Sequence, residues 1–407
     1  AIAVGLASVI MVFMGLVGIL QGMSPLAGHH FGAQRYEKIG FELSQCLWLA
    51  AFLSIIGIAL MCWTDLWMSL SQAQGEVRRM ATEYILISAL GLPPSLFGRA
   101  FVSLNAAVSR PKVTMYVSLA NLALKVPLNG VFMYGWLGFE PMGGAGAAVS
   151  SMVLSWIALL AYVVIWKKDN YYNKMRCSRF YGPQLKAMWE QLKIGVPIGL
   201  STFFEVSSFT LMAIFISRFG PVAVSAHQIV ANVTSLCYMI ALSIGIAGTV
   251  LVSQCLGAGY ANVAEKATRR CLILASSIAL LVAFTLYFGR GFILELYTSD
   301  ETVIKIAYSL ILFGVFYHVF DAMQCVGAFA LRGYRVTFWP MVIYGVLLWC
   351  VGLFGGYYMA FYGGPFGRPL QAYGFWGMTA TGLFLAGSCL AAMALFVARV
   401  KTKEADA

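Results

Sequence analysis

Two carboxylates stand where the flanking sequence is almost wholly apolar. Glu205 lies in Ile198-Gly199-Leu200-Ser201-Thr202-Phe203-Phe204-Glu205-Val206, and Asp321 in Phe316-Tyr317-His318-Val319-Phe320-Asp321-Ala322-Met323-Gln324. Glu205 is twelve residues past Lys193, about 18 Å along a helix. Asp321 is eleven residues before Arg332, about 16 Å. Both lengths run from a basic end, so the two acids fall at similar depth. An ionisable group at membrane depth is costly and marks function. A pair at matched depth suits a cation or a proton. Tyr317 precedes Asp321 by four residues and shares its helical face, as Phe209 does with Glu205. The face of an aromatic ring attracts a cation through its quadrupole. Gln228 and Tyr238, in the following apolar run, are candidates for the same cavity. The other acidic residues read as lying in loops or at helix ends.

Arg99 and Lys125 are basic residues within apolar runs: Arg99 suits snorkelling or pairing with backbone carbonyls near a helix end, and Lys125, deep and two residues before Pro127, suits either structural pairing or a substrate path. His227 and His318 read as packed, and His29 and His30 as interfacial. Pro25, Pro127, Pro197 and Pro340 fall within or near helix ends, where a bend is tolerated if neighbours satisfy the freed backbone groups. No Walker loop, H-E-x-x-H motif or arginine ladder appears. The nine cysteines are odd in number and form no C-x-x-C pair. They read as small buried hydrophobes, with no cofactor implied.

The elements that position these residues must be membrane helices. Of 407 residues, 60% are hydrophobic and 11% charged, against about 25% charged in an ordinary soluble domain. That excludes a soluble enzyme and a nucleic-acid-binding module. A spanning helix needs about 20 apolar residues. Eleven such runs are present: 3–28, 41–63, 81–105, 113–135, 145–166, 194–219, 224–254, 270–290, 303–331, 336–361 and 375–398. They are too long and too uniformly apolar for barrel strands. The expected class is therefore an all-α integral membrane protein.

Nineteen of the 27 Lys and Arg residues fall on one set of alternate connections, seven of them in 167–193. The positive-inside rule puts that set, and the carboxyl terminus, in the cytoplasm. An internal repeat is also legible. Phe31-Gly32-Ala33 then Glu37-Lys38 returns as Leu256-Gly257-Ala258 then Glu265-Lys266. Arg110-Pro111-Lys112-Val113-Thr114 returns as Arg332-Gly333-Tyr334-Arg335-Val336-Thr337. In that register the first half lacks the opening helix of the second. Twelve helices are expected, of which eleven are visible, as two six-helix lobes related by a pseudo-two-fold axis along the membrane normal. The expected division is an N-terminal lobe over 1–166, a basic cytoplasmic linker over 167–192, a C-terminal lobe over 193–400 and a tail over 401–407.

The segments Gly195-Val196-Pro197 through Glu205 to Arg218-Phe219-Gly220, and Ala226-His227-Gln228-Ile229-Val230-Ala231-Asn232, resemble the seventh and eighth helices of the MATE (multidrug and toxic compound extrusion) transporters, NorM-type bacterial branch. Ser253-Gln254-Cys255-Leu256-Gly257-Ala258-Gly259 and Ala330-Leu331-Arg332-Gly333 resemble that family's loop landmarks. The resemblance spans essentially the whole chain. It implies two lobes around a central cleft and export of cationic, amphipathic drugs and dyes by a monomer of the bacterial inner membrane. Coupling to Na+ or H+ is implied, with Glu205, Asp321 and Tyr317 as the second-lobe ion site and Na+ held at Glu205 and Asp321. Phe209, Gln228 and Tyr238 would lie close by. The family's acidic residue in helix one has no counterpart here.

Two other readings are open. A lipid-linked precursor flippase of the same superfamily would need more cationic residues in the cleft than Arg99 and Lys125. A membrane-embedded enzyme would need a nucleophile or metal cluster at depth. Dye efflux in cells favours a transporter, and product formation in detergent favours an enzyme.

Overall fold

The computed structural model describes residues 2–71, 75–138, 140–174 and 179–406. All regular elements among them are helical: α1 (Ile2–Leu20), α2 (Met23–Gly32), α3 (Tyr36–Cys62), α4 (Thr64–Ser71), α5 (Gly75–Ala107), α6 (Pro111–Tyr134), α7 (Gly143–Lys168), α8 (Asn170–Lys174), α9 (Leu185–Ile216), α10 (Pro221–Gly257), α11 (Ala261–Tyr297), α12 (Glu301–Gly333), α13 (Phe338–Ile343), α14 (Gly355–Tyr362) and α15 (Ala372–Asp406). The helix starts follow local chemistry. Pro111 and Pro221 occupy the first turns of α6 and α10, where a missing N–H costs nothing. Asp300 caps α12 by accepting from the backbone N–H groups of Thr302 and Val303.

Ten helices among the described residues are long and apolar enough to cross a membrane. The run expected over 113–135 does form a helix, α6, but is not among the ten. Asn121, Lys125 and Asn129 recur every four residues along it and give it one polar stripe. Outward faces are apolar. On α11, Leu281, Phe284, Phe288 and Phe292 are each at least 63% exposed, which suits hydrocarbon and not water. The cysteines divide. Cys46, Cys271 and Cys325 are buried, whereas Cys62, Cys350 and Cys389 are exposed, so the uniformly buried reading fails for those three. In a lipid-facing position a thiol needs no core to hide in. Cys177 lies outside the described residues.

The chain divides into two compact units, Ala1–Gly199 and Leu200–Ala407. In the first, α5 packs against α1, α2, α3 and α7. In the second, α12 packs against α10, α11 and α15. The repeat is visible at atomic level. Arg35 N–H donates to the His30 carbonyl, and 225 residues later Tyr260 N–H donates to Cys255. Arg110 N–H donates to Asn105, and 226 residues later Val336 N–H donates to Leu331. Each bond closes a helix C-terminal turn around a left-handed residue: Gln34, Gly259, Ser109 and Arg335, with φ of 54°, 81°, 59° and 62°. The short motifs that repeat in sequence are the turns that end corresponding helices.

Within the first unit, α1 and the start of α9 touch backbone to backbone. A Cβ on Gly195 would meet the Ile19 carbonyl at 2.0 Å, and one on Gly18 would meet Gly199 Cα at 2.5 Å. Small residues at four-residue spacing allow this approach in membranes, where packing replaces the hydrophobic effect.

Candidate functional site: an acidic pair joined by an amide

Asp321, Gln324 and Tyr317 sit on one face of α12, at spacings of three and four residues. That face points into the second unit, and Tyr317, Asp321 and Gln324 are all buried. Gly314 lets α12 approach Thr234 of α10, and Gly327 lets it approach the α15 backbone at Leu390 and Ala391. Close packing on both sides leaves Asp321 facing α9. Glu205, half-buried on α9, lies opposite.

One side chain joins the two acids. Gln324 Nε2 donates to Asp321 Oδ1 at 3.1 Å and to Glu205 Oε1 at 3.4 Å. An amide carries two N–H donors and so serves two carboxylates at once. Its own Oε1 is buried and has no partner among the described residues. Tyr238, half-buried on α10, brings its hydroxyl within hydrogen-bonding reach of Glu205. The Arg332 guanidinium acts on Glu205 electrostatically and stacks over Phe329 at 3.8 Å.

Beside the carboxylates is an aromatic box. Phe209 meets Tyr317 edge-on at 6.2 Å between ring centroids and Trp376 at 6.1 Å. Tyr317 and Trp376 are 6.0 Å apart. His227 closes the box, 5.8 Å from Trp376 and 6.2 Å from Phe209.

Of the residues singled out in the sequence, Glu205, Asp321, Tyr317, Phe209 and Tyr238 come together. Gln228 is exposed, ten residues before Tyr238 on α10. Gln324, Trp376 and Trp349 were not anticipated. The signal for Gln324 was present, three residues after Asp321 on the same face. Trp376 comes from α15, and no local spacing ties it to the others.

Trp349 belongs to a π-helical stretch, Tyr344–Phe354, which starts four residues beyond Pro340. Its indole N–H donates to the Phe204 carbonyl at 3.1 Å and to Ser207 Oγ at 3.3 Å. The wider π turn re-aims a side chain within a continuous helix, and such turns recur at functional sites.

A third acid is buried, contrary to the expectation that only two lie inside. Glu42 of α3 is 8% exposed in the first unit. Gln191 of α9 donates to its Oε2 at 2.7 Å and to its backbone carbonyl at 2.9 Å. His30 Nε2 is 3.8 Å from its other oxygen. Glu42 is only six residues from the start of α3, and neighbouring elements bury it there.

The MatE family model matches residues 1–131 and 197–358. A protein named probable multidrug resistance protein NorM from Aromatoleum aromaticum is 37% identical over 387 residues, covering 95% of this chain and 84% of its own. The multidrug resistance protein NorM of Vibrio parahaemolyticus is 32% identical, covering 91% of this chain and 82% of its own. Among solved structures, the eukaryotic MATE transporter AtDTX14 superposes with a TM-score of 0.85 at 20% identity, over 100% of this chain and 90% of that one. An outward-facing multidrug resistance MATE family transporter of the MOP superfamily gives 0.86 at 17% identity, over 98% and 89%. At these identities the structures speak to the fold alone.

Proposed function

Since the chain belongs to the MATE family of membrane transporters, we propose that it is a multidrug efflux antiporter, exchanging cationic amphipathic compounds for Na+ or H+. The observation that carries this reading is the Gln324 bridge between Glu205 and Asp321. Two carboxylates and an unpartnered amide oxygen form a set of hard oxygen donors, the kind that suits a small hard cation. Carboxylates accept protons as well. The aromatic box beside them offers ring faces to an organic cation. The names of the NorM relatives support the drug class.

The work of antiport is a difference in occupancy. An ion gradient drives export only if the ion binds one arrangement of the transporter better than the other. Glu205 and Asp321 come from different helices, α9 and α12. A shift of α9 along α12 would therefore change how many oxygens converge on one ion. In this reading the protein is a monomer of the bacterial inner membrane with its carboxyl terminus in the cytoplasm. Dye efflux from energised vesicles, with and without a Na+ gradient, tests it. Efflux that follows neither the Na+ nor the proton gradient would sink the coupling.

A further inference from the structure

Arg290 is a cation on α11, whose outward face is apolar. It lies twenty residues past Arg270, and no residue between the two is charged. That length of helix spans about 30 Å, the thickness of a hydrocarbon core. The Thr402 hydroxyl of α15 reaches the Ala261 carbonyl at the start of α11, so the carboxyl-terminal end lies with Arg270. Arg290 therefore marks the opposite interface. Its guanidinium is clasped between two rings, 4.5 Å from Tyr287 on its own helix and 4.3 Å from Tyr308 on α12. These phenols act on it, and no carboxylate does. Ring faces attract a cation but leave its charge uncompensated. Nε and Nη1 have no hydrogen-bond partner among the described residues.

Charges around the clasp are layered. From Tyr287 to Tyr308 the charged residues are Arg290, Glu295, Asp300, Glu301 and Lys305. Tyr308, Lys305 and Glu301 share one face of α12, at spacings of three and four residues. Glu301 is in the first turn, about 10 Å outward of Tyr308. Bases thus lie inside and acids outside. Deeper in, α12 and α15 leave a groove of about 510 Å³ lined by Ser309, Leu312, Phe313, Phe316, Gly377 and Thr381. The Ser309 and Thr381 hydroxyls turn to the backbone carbonyls of Lys305 and Gly377, so the lining is apolar. Leu312 and Phe316 are exposed. They stand nine and five residues before Asp321, on the side of α12 away from that acid. The groove therefore opens to hydrocarbon and not to the acidic pair.

We propose that this face binds one phosphatidylethanolamine molecule from the leaflet opposite the carboxyl terminus. Arg290 and Lys305 take the phosphate, as guanidinium and ammonium groups do. Glu301 accepts N–H bonds from the lipid's primary ammonium, and one acyl chain lies in the groove. The order of the headgroup decides the class. Its phosphate is next to the glycerol and its ammonium is outermost, which matches bases inside and acids outside. Phosphatidylglycerol brings no cation for Glu301. The quaternary ammonium of phosphatidylcholine has no N–H to donate. A lipid seated this way ties α11, α12 and α15 of the second unit together. The inference goes beyond the efflux reading and uses neither Glu205 nor Asp321.

The test titrates the purified, delipidated protein with dioleoyl-phosphatidylethanolamine, -phosphatidylglycerol and -phosphatidylcholine, and reads bound lipid by native mass spectrometry. Phosphatidylethanolamine should bind at least fivefold tighter than the other two. Arg290→Met should remove that advantage by weakening phosphatidylethanolamine at least fivefold. Glu301→Gln keeps the phosphate contacts, so it should weaken phosphatidylethanolamine about threefold or more and leave phosphatidylglycerol no weaker. Thr381→Trp fills the groove and should weaken all three lipids alike, since they share their chains. Melting temperatures of the lipid-free variants check the fold. Unchanged binding by Arg290→Met would make Arg290 an interfacial anchor and overturn the proposal. Tightest binding of phosphatidylglycerol, or no effect of Glu301→Gln, would overturn the assignment of the amine. The last arm adds glycerophosphoethanolamine, the headgroup without chains. Displacement of the lipid by this compound at equal concentration would leave the groove without a role and also overturn the proposal.

Discussion

The indole N–H of Trp349 donates to the backbone carbonyl of Phe204, the residue immediately before Glu205. The π stretch therefore grips α9 at the point where the acid leaves the helix. Trp349→Phe keeps an aromatic ring against Phe204, which the indole meets edge-on at 5.9 Å, and removes the N–H together with the five-membered part of the indole. Ion activation of efflux should shift roughly fivefold to higher concentration, the equivalent of about 1 kcal/mol for one hydrogen bond. The maximal rate should change less. A drop in melting temperature with no change in ion dependence would reduce Trp349 to packing.

The acid pair makes a sharper claim. Glu205→Gln and Asp321→Asn keep shape and lose charge, so each should abolish ion-coupled efflux while the protein still folds. Tyr317→Phe should do less, because its ring contacts with Phe209 and Trp376 survive. If the acids only tie helices together, the amides will melt earlier and, where folded, still export dye in an ion-dependent way. Efflux and melting temperature on the same variants separate the two views.

The bridge itself can be tested at Gln324. Gln324→Leu is close in size and removes both the shared donor and the unpartnered oxygen. Two facing carboxylates then lose the group that satisfies them both, and a buried charge without its partner costs about 1–3 kcal/mol or more. Ion binding, read by protection of the melting temperature in saturating NaCl, should fall in this variant. Undiminished protection would remove Gln324 from the site.

Much of this was legible because membrane helices write their role in composition. A carboxylate in a run of Phe, Leu and Val stands out, and Glu205 and Asp321 did. The repeat was legible because its turns need left-handed residues at fixed places, Gln34 with Gly259 and Ser109 with Arg335. Contacts made across helices left no such mark. Trp376 reaches Tyr317 from α15, and Trp349 reaches Phe204 through a π turn. Glu42 was missed for a related reason. Near a helix start an acid usually meets water, but here α9 covers it with Gln191.

Gln191→Leu should therefore be costly. It strips Glu42 of its donors to both Oε2 and the backbone carbonyl, and should lower stability by about 1–3 kcal/mol. Glu42→Leu combined with Gln191→Leu should cost less than the two singles together, since no buried charge is then left unmatched. Simple additivity in melting temperature would show that the two side chains act separately.

Stability should depend on pH at the end of α7. Asp169 follows Lys168, beyond the spanning segment. The Tyr171 N–H, at 2.9 Å, and the Arg110 guanidinium hold its carboxyl below the usual carboxylate range. Arg110 also lies over the rings of Tyr171 at 4.6 Å and Tyr172 at 5.4 Å. A depressed carboxyl pKa means that folding favours the ionised form. Its contribution is then complete above the unfolded value, about 4, and drains away as pH falls through the folded value. Asp169→Asn should remove that contribution. The melting-temperature gap between the unaltered protein and Asp169→Asn should be constant from pH 8 to about pH 5 and narrow below that. The pair is partly exposed, so the gap should be modest and should shrink in high salt. A gap that widens on acidification would reverse the sign of the argument and remove the ion pair as its cause.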